Sequence, residues 1–216
     1  MTVLFVVLTI ALFLGVDWLL HRGKVTVAVK APASPAVRMP SGVFFARSHT
    51  WLNLFSSGHA WLGIDDFVSR LLEAPTLKYL VEPGTPVKRG EPLLRLEEDG
   101  RSLTVRAPID GRVTALNAQL IAHPELLQRR PFCDGWVCEI KPDRYADVKS
   151  MLLGDETQSW MQLEFARLRD LFAGVGSQPG LEPAMLQDGG PPIAGAMKHV
   201  DAEVWERFDR EFLTLS

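Results

Sequence analysis

The chain has 216 residues, with 23 Lys and Arg against 26 Asp and Glu and a formal net charge of -3. That length suits one domain of average size with appendages and is cramped for two. The near-neutral charge excludes nucleic-acid binding by counterion release, and two cysteines cannot build a disulfide framework.

Met1 to Val16 carries no charge, and the apolar run resumes after Asp17 with Trp18, Leu19 and Leu20. As a helix, residues 3–20 would extend roughly 27 Å at about 1.5 Å per residue, just enough to span a hydrocarbon core of about 30 Å. A cleaved signal peptide fits less well. Nothing basic precedes Val3, and no small-residue cleavage site follows the apolar run. Residues 1–22 therefore read as a transmembrane anchor. Arg22, Lys24 and Lys30 lie after the apolar 3–20 segment, so the positive-inside tendency puts the N-terminus outside and the C-terminal bulk in the cytoplasm.

Residues 23–41, with Ala31-Pro32-Ala33-Ser34-Pro35, read as an extended linker. From residue 42 to about 150, short apolar runs alternate with Gly and Pro. The runs are 42–45, 60–64, 77–81, 93–96, 103–105, 111–116 and 136–140, and turns such as Glu82-Pro83-Gly84, Lys88-Arg89-Gly90 and Asp99-Gly100 punctuate them. Many short strands with tight turns predict a small β-barrel or sandwich. Asp65 to Glu73 is more helical, with Phe67, Val68, Leu71 and Leu72 at helical spacing.

Residues 151–216 read as a helical extension. Glu156 to Phe172 predicts an amphipathic helix with Trp160, Leu163, Phe165, Leu168, Leu171 and Phe172 on one broad face. A Gly/Pro-rich linker follows at 174–198. Asp201 then N-caps a last helix to Leu213, with Val204, Trp205, Phe208, Phe212 and Leu213 on its apolar side. Such a helix docks either on its own domain or on a partner protein.

Candidate chemistry is sparse. His49 and His59 could meet across a hairpin and hold a metal, or could be surface or packing residues; no spaced acid or cysteine completes a site. Cys133 and Cys138 flank Trp136 and could approach across a turn, or remain reduced in the sheet. No phosphate loop, nucleophile elbow or zinc motif is present.

Several segments together resemble the glycine cleavage H-protein family. They are His49-Thr50-Trp51, Ala60-Trp61-Leu62-Gly63-Ile64-Asp65-Asp66-Phe67, Ala107-Pro108-Ile109-Asp110-Gly111-Arg112-Val113, Pro124-Glu125-Leu126-Leu127, Pro131-Phe132-Cys133-Asp134-Gly135-Trp136-Val137 and Ile140-Lys141. The agreement holds in order and spacing from Val43 to Pro142. The resemblance implies a mainly β, lipoyl-like barrel-sandwich hybrid of two small sheets with C-terminal helices, here behind one N-terminal transmembrane helix. It also implies a lipoyl group on one lysine of a hairpin turn, eight residues before the proline matching Pro108. That position is Gly100, within Glu97-Glu98-Asp99-Gly100-Arg101. No lysine lies between Lys88 and Lys141. Arg101 cannot substitute, because a guanidinium stays protonated and is a poor nucleophile.

The expectation is therefore a non-enzymatic, membrane-anchored subunit or adaptor without cofactor, catalytic residue or metal. Its partners would be integral-membrane subunits and a cytoplasmic protein, and not nucleic acid. Glu97, Glu98, Asp99 and Arg101 form an acidic hairpin tip, either a solvated turn or the partner contact. The alternatives are an H-protein-type lipoyl carrier of the glycine cleavage system, and a periplasmic adaptor of an efflux or secretion system. The last would require a long helical insertion that Asp99-Gly100 leaves no room for.

Overall fold

The computed structural model describes residues 37–173 and 194–215. The predicted anchor, the linker up to residue 36 and residues 174–193 of the Gly/Pro-rich linker lie outside the described residues. Among the described residues, no helix is long and apolar enough to cross a membrane.

Nine strands form two antiparallel sheets within the described residues. They are β1 (Phe44–Phe45), β2 (Thr50–Leu54), β3 (Ala60–Ile64), β4 (Thr76–Tyr79), β5 (Pro86–Val87), β6 (Pro92–Glu98), β7 (Arg101–Arg106), β8 (Gly111–Leu116) and β9 (Trp136–Pro142). One sheet has the order β1-β2-β3-β9-β8-β5 and the other β4-β6-β7. In β6 and β7 the apolar residues face each other in register, Leu94 with Val105 and Leu96 with Leu103. They join Leu62, Val113 and Ile140 of the larger sheet in one buried core. This is the two-sheet, mainly β architecture expected from the alternating apolar runs.

β2 lies outside the predicted apolar runs, although Thr50-Trp51-Leu52-Asn53-Leu54 alternates as a strand should. It pairs along its whole length with β3, placing Trp51 opposite Gly63. Here glycine is a packing requirement: a Cβ on Gly63 would lie 2.4 Å from the Trp51 ring. The indole that covers it donates Nε1–H to the Ile64 carbonyl at 3.0 Å.

Helix α1 (Asp66–Leu71) begins at Asp65, whose carboxylate accepts from Val68 N. Short helices α2 (Gln119–Ala122), α3 (Leu126–Arg129) and α4 (Tyr145–Lys149) line the connections around β9. Helix α5 (Asp155–Ala173) buries Thr157, Trp160, Met161, Glu164, Leu168, Leu171 and Phe172. The predicted apolar face needs one correction: Leu163 is 63% exposed. At 3.6 residues per turn, the stripe through 157, 160, 161, 164, 168 and 171 leaves position 163 off its edge. The place expected for an apolar residue is taken by the carboxylate of Glu164.

A short 3-10 turn (Ala196–His199) leads into helix α6 (Ala202–Phe212), with the Asp201 carboxylate accepting from Val204 N at 3.1 Å. Helix α6 docks on its own domain, against β7 and α5. It buries Val204, Trp205, Phe208 and Phe212. In the smaller sheet β7 is an edge strand, and α6 covers that edge. Thr104 N donates to Asp209 Oδ1 at 2.5 Å, and Arg106 pairs with the same carboxylate at 3.4 Å. Covering an edge in this way prevents unwanted strand pairing.

Candidate functional site

The turn between β6 and β7 is the position to which the family resemblance directs attention. Asp99 has φ 50° and Gly100 φ 76°. Two successive left-handed residues make a type I′ turn, the two-residue connection that suits the twist of an antiparallel pair. The strands therefore meet directly, with no inserted helical hairpin.

The four tip residues do not act alike. Glu98 is turned inward and 9% exposed, and its carboxylate accepts the backbone N–H groups of Glu73 and Ala74 at 3.0 and 2.7 Å. It ties the tip to the chain end of α1. Arg101 donates to the Val200 carbonyl, and its guanidinium lies 5.1 Å from the centre of the Trp205 ring. It fastens the tip to the C-terminal segment. Trp205 in turn donates Nε1–H to Met197 O at 2.8 Å, while Lys198 pairs with Glu73. Glu97 and Asp99 keep their carboxylates largely in water, 45% and 56% exposed, with Arg95 and Arg101 at 4.0 and 3.7 Å.

A lipoyl group does not fit this turn. Its attachment needs a free primary amine, and Gly100 offers only backbone with open space where a side chain would stand. Close by, the amine of Lys198 is held by Glu73. Lys88 belongs to a different turn, paired with Asp110 at 3.3 Å.

The histidines occupy opposite ends of the β2–β3 hairpin. His49 precedes β2 beside the Ile64 end of β3, and His59 precedes β3 beside Leu54. They do not share a metal. His59 bonds Glu139 at 2.8 Å on the neighbouring strand, and the same carboxylate accepts from Thr114. His49 is fully buried, with φ 58°. Its Nδ1 lies 2.7 Å from Asp65 Oδ2 and its Nε2 3.5 Å from Glu164 Oε2. The ring stacks on Phe67 at 4.5 Å and meets Trp160 at 4.9 Å. Burial alone would lower its pKa, but Asp65 and Glu164 outweigh burial and push it up to about 9. Nδ1 makes the ring's hydrogen bond, to Asp65, and Nε2 faces Glu164 at ion-pair distance. Burial would likewise raise Glu164; His49 and Arg167 hold its carboxyl below the ordinary carboxylate range instead. His49 is thus a packing residue that joins α5 to the sheet, and the Glu164 half of that link carried no recognisable sequence signal.

A second buried ionic knot fixes the start of the described chain. Asp66 accepts from Arg38 N and Nε at 2.9 and 3.1 Å and from Arg70 Nε at 3.0 Å. Burial acts to raise its pKa, and the two guanidiniums outweigh that and lower it. The cysteines do not pair: Cys133 is exposed in a turn, while Cys138 is buried in β9, where burial pushes its thiol up to about 12. Such a thiol is inert at neutral pH.

Two small sheets sharing one core, with a type I′ hairpin standing at one end, define a lipoyl-type β domain. The glycine cleavage H-protein family model matches residues 43–164, more than half of the chain, and the chain belongs to that family. A glycine cleavage system H protein of Opitutus terrae is 32% identical over 114 residues, covering 53% of this chain and 90% of the relative. One from Hydrogenovibrio crunogenus is 31% identical, covering 53% and 88%. A solved H-protein structure from Mycobacterium marinum aligns with a TM-score of 0.48 at 21% identity, over 55% of this chain and 94% of that one. The family match and the two relatives favour the H-protein-type reading over the membrane-adaptor reading drawn from the N-terminus.

Proposed function

We propose that this chain is a non-enzymatic member of the H-protein family that works by docking and does not carry lipoate. The observation that supports this most is the hairpin turn. Its family lysine position is Gly100, and no lysine occurs from residue 89 to residue 140. With Glu98 and Arg101 engaged within the chain, Glu97 and Asp99 remain as the outward-facing groups for a partner. Two carboxylates on a rigid turn suit a basic surface and would chiefly set the rate and register of encounter. The apolar segment 3–20 would tether the domain to a membrane and to integral-membrane subunits, with the domain on the cytoplasmic side. The test is intact-mass measurement and lipoate-specific detection on protein from its native source. Unmodified chain is expected, and a lipoyl adduct overturns the reading. Co-purification in mild detergent then names the membrane partners.

The second reading is a lipoyl carrier of the glycine cleavage system, favoured by the similar proteins, which carry that name. It requires the group on another amine. Lys88 is the foremost, exposed on the neighbouring turn, and a lipoylated Lys88 would establish this reading.

A further inference from the structure

A cavity of about 370 Å³ lies where the turn after β1 meets the two long C-terminal helices. Three guanidiniums line it, Arg47 from the turn, Arg167 from α5 and Arg210 from α6, together with Trp160 and Thr214. Two carboxylates, Glu164 and Glu211, also line it, each already paired with another residue. Glu164 is held by Arg167 at 2.8 Å and by His49. Glu211 pairs with Arg207 at 3.4 Å. Arg167 is itself engaged, through Nη1 to Glu164, through Nη2 to the Glu211 carbonyl at 2.7 Å, and over the Phe212 ring at 4.6 Å. Arg47 and Arg210 have no hydrogen-bond or ion-pair partner among the described residues.

The cavity lining thus holds three guanidiniums against two carboxylates, with Arg47 and Arg210 unpaired, and an anion seated there would relieve their mutual repulsion. The planar donor fork of arginine matches tetrahedral oxyanions through paired hydrogen bonds, and Thr214 can add a hydroxyl donor. The volume falls in the range of small-molecule sites, roughly 300–1,000 Å³, so it accommodates more than a bare ion. The adjoining cavity, which shares Arg47, is a useful contrast. There Asp110, Asp147 and Glu156 accompany Arg89 and Arg144, leaving little excess of positive charge.

We propose that the cavity between Arg47 and Arg210 binds the phosphate group of a small soluble molecule. An occupant would bridge the β domain and α6, and so strengthen the docking of the C-terminal helix. The proposal is independent of whether the chain carries lipoate.

The experiment is calorimetric titration of the full chain with inorganic phosphate and with pyrophosphate, in chloride buffer at fixed ionic strength, with melting temperatures measured in parallel. Saturable binding of one equivalent and a rise in melting temperature are expected. Arg47→Gln and Arg210→Gln should each weaken binding roughly tenfold or more, the loss of a charge-assisted hydrogen bond. Both side chains are exposed, so circular dichroism should match the parent chain. Arg112→Gln, which alters a guanidinium on β8 bonded to the Gly84 carbonyl, should leave binding unchanged. Absence of saturable binding, equal binding in all variants, or equal weakening by Arg112→Gln would overturn the proposal.

Discussion

Two hairpins of this domain use charged residues in opposite ways. At the His49 end of β2–β3, an imidazolium and two carboxylates sit inside the core, each engaged by a partner from a different element. At the tip of β6–β7, Glu97 and Asp99 stand in water, and nothing crowds Gly100. Buried charge fixes geometry because any missing partner leaves an uncompensated ion. Exposed charge contributes little to stability, at most about 1 kcal/mol for a pair, and is free to serve recognition. Paired, buried charge and solvated charge thus stand in different hairpins.

The sharpest way to break the contrast is to remove the buried cation. His49→Phe keeps an aromatic ring between Phe67 and Trp160 but leaves Asp65 and Glu164 without their shared partner. Breaking a buried pair costs about 3–5 kcal/mol, and a Phe at φ 58° adds strain. Denaturant unfolding should show a loss of that order. A loss below about 1 kcal/mol would mean that the ion cluster does not hold α5 to the sheet.

The same residue predicts a pH dependence. Its folded pKa, about 9, lies above the ordinary 6.5, so the stability it confers is fully present below pH 6.5 and is lost as pH rises through 9. At 1.36 kcal/mol per unit the loss between pH 6 and 10 is about 3 kcal/mol. Melting curves across that range should fall for the parent chain, and the fall should be largely absent from His49→Phe. A parallel decline in both would assign the alkaline loss to other groups.

Gly63→Ala tests the packing above the same hairpin. The added Cβ would meet the Trp51 ring at 2.4 Å, so the indole must move and strain its bond to Ile64 O. Overpacking of this kind costs typically 1–3 kcal/mol, measurable by urea unfolding together with a change in tryptophan fluorescence.

These sites differ in how far the sequence reveals them. The Asp99-Gly100 turn and the cap at Asp201 are legible because each depends on a local pairing of residue type and backbone conformation. The β6, β7, β8 and β9 runs were legible from their apolar residues and turn punctuation. His49 could be noted as a candidate, but its partners stand 16 and 115 positions further on, and no local pattern connects them. Leu163 was misplaced for a related reason: an apolar residue on a helix predicts burial only when a neighbouring element arrives to cover it. The convergence of Arg47 and Arg210 was likewise invisible, because it depends on how α6 folds back over the domain.

The smallest stability effect carries the largest functional consequence. Gly100→Lys places a primary amine at the position implied by the family resemblance. No atom lies within 4 Å of the new Cβ, so the cost is confined to a non-glycine residue at φ 76°, about 1 kcal/mol. Unfolding should therefore be cooperative and only slightly shifted. If the hairpin retains the shape read by lipoate-attaching enzymes, the variant should gain one lipoyl adduct by intact mass when co-expressed with them, while the parent chain gains none. A folded variant that stays unmodified would place the difference elsewhere, in the Glu98 and Arg101 contacts that bind the tip to α1 and the C-terminal segment. Releasing those by Arg101→Ala in the Gly100→Lys background then separates the two causes. Restored modification means that the C-terminal segment blocks access, and continued absence means that the flanking residues have lost the recognition signal itself.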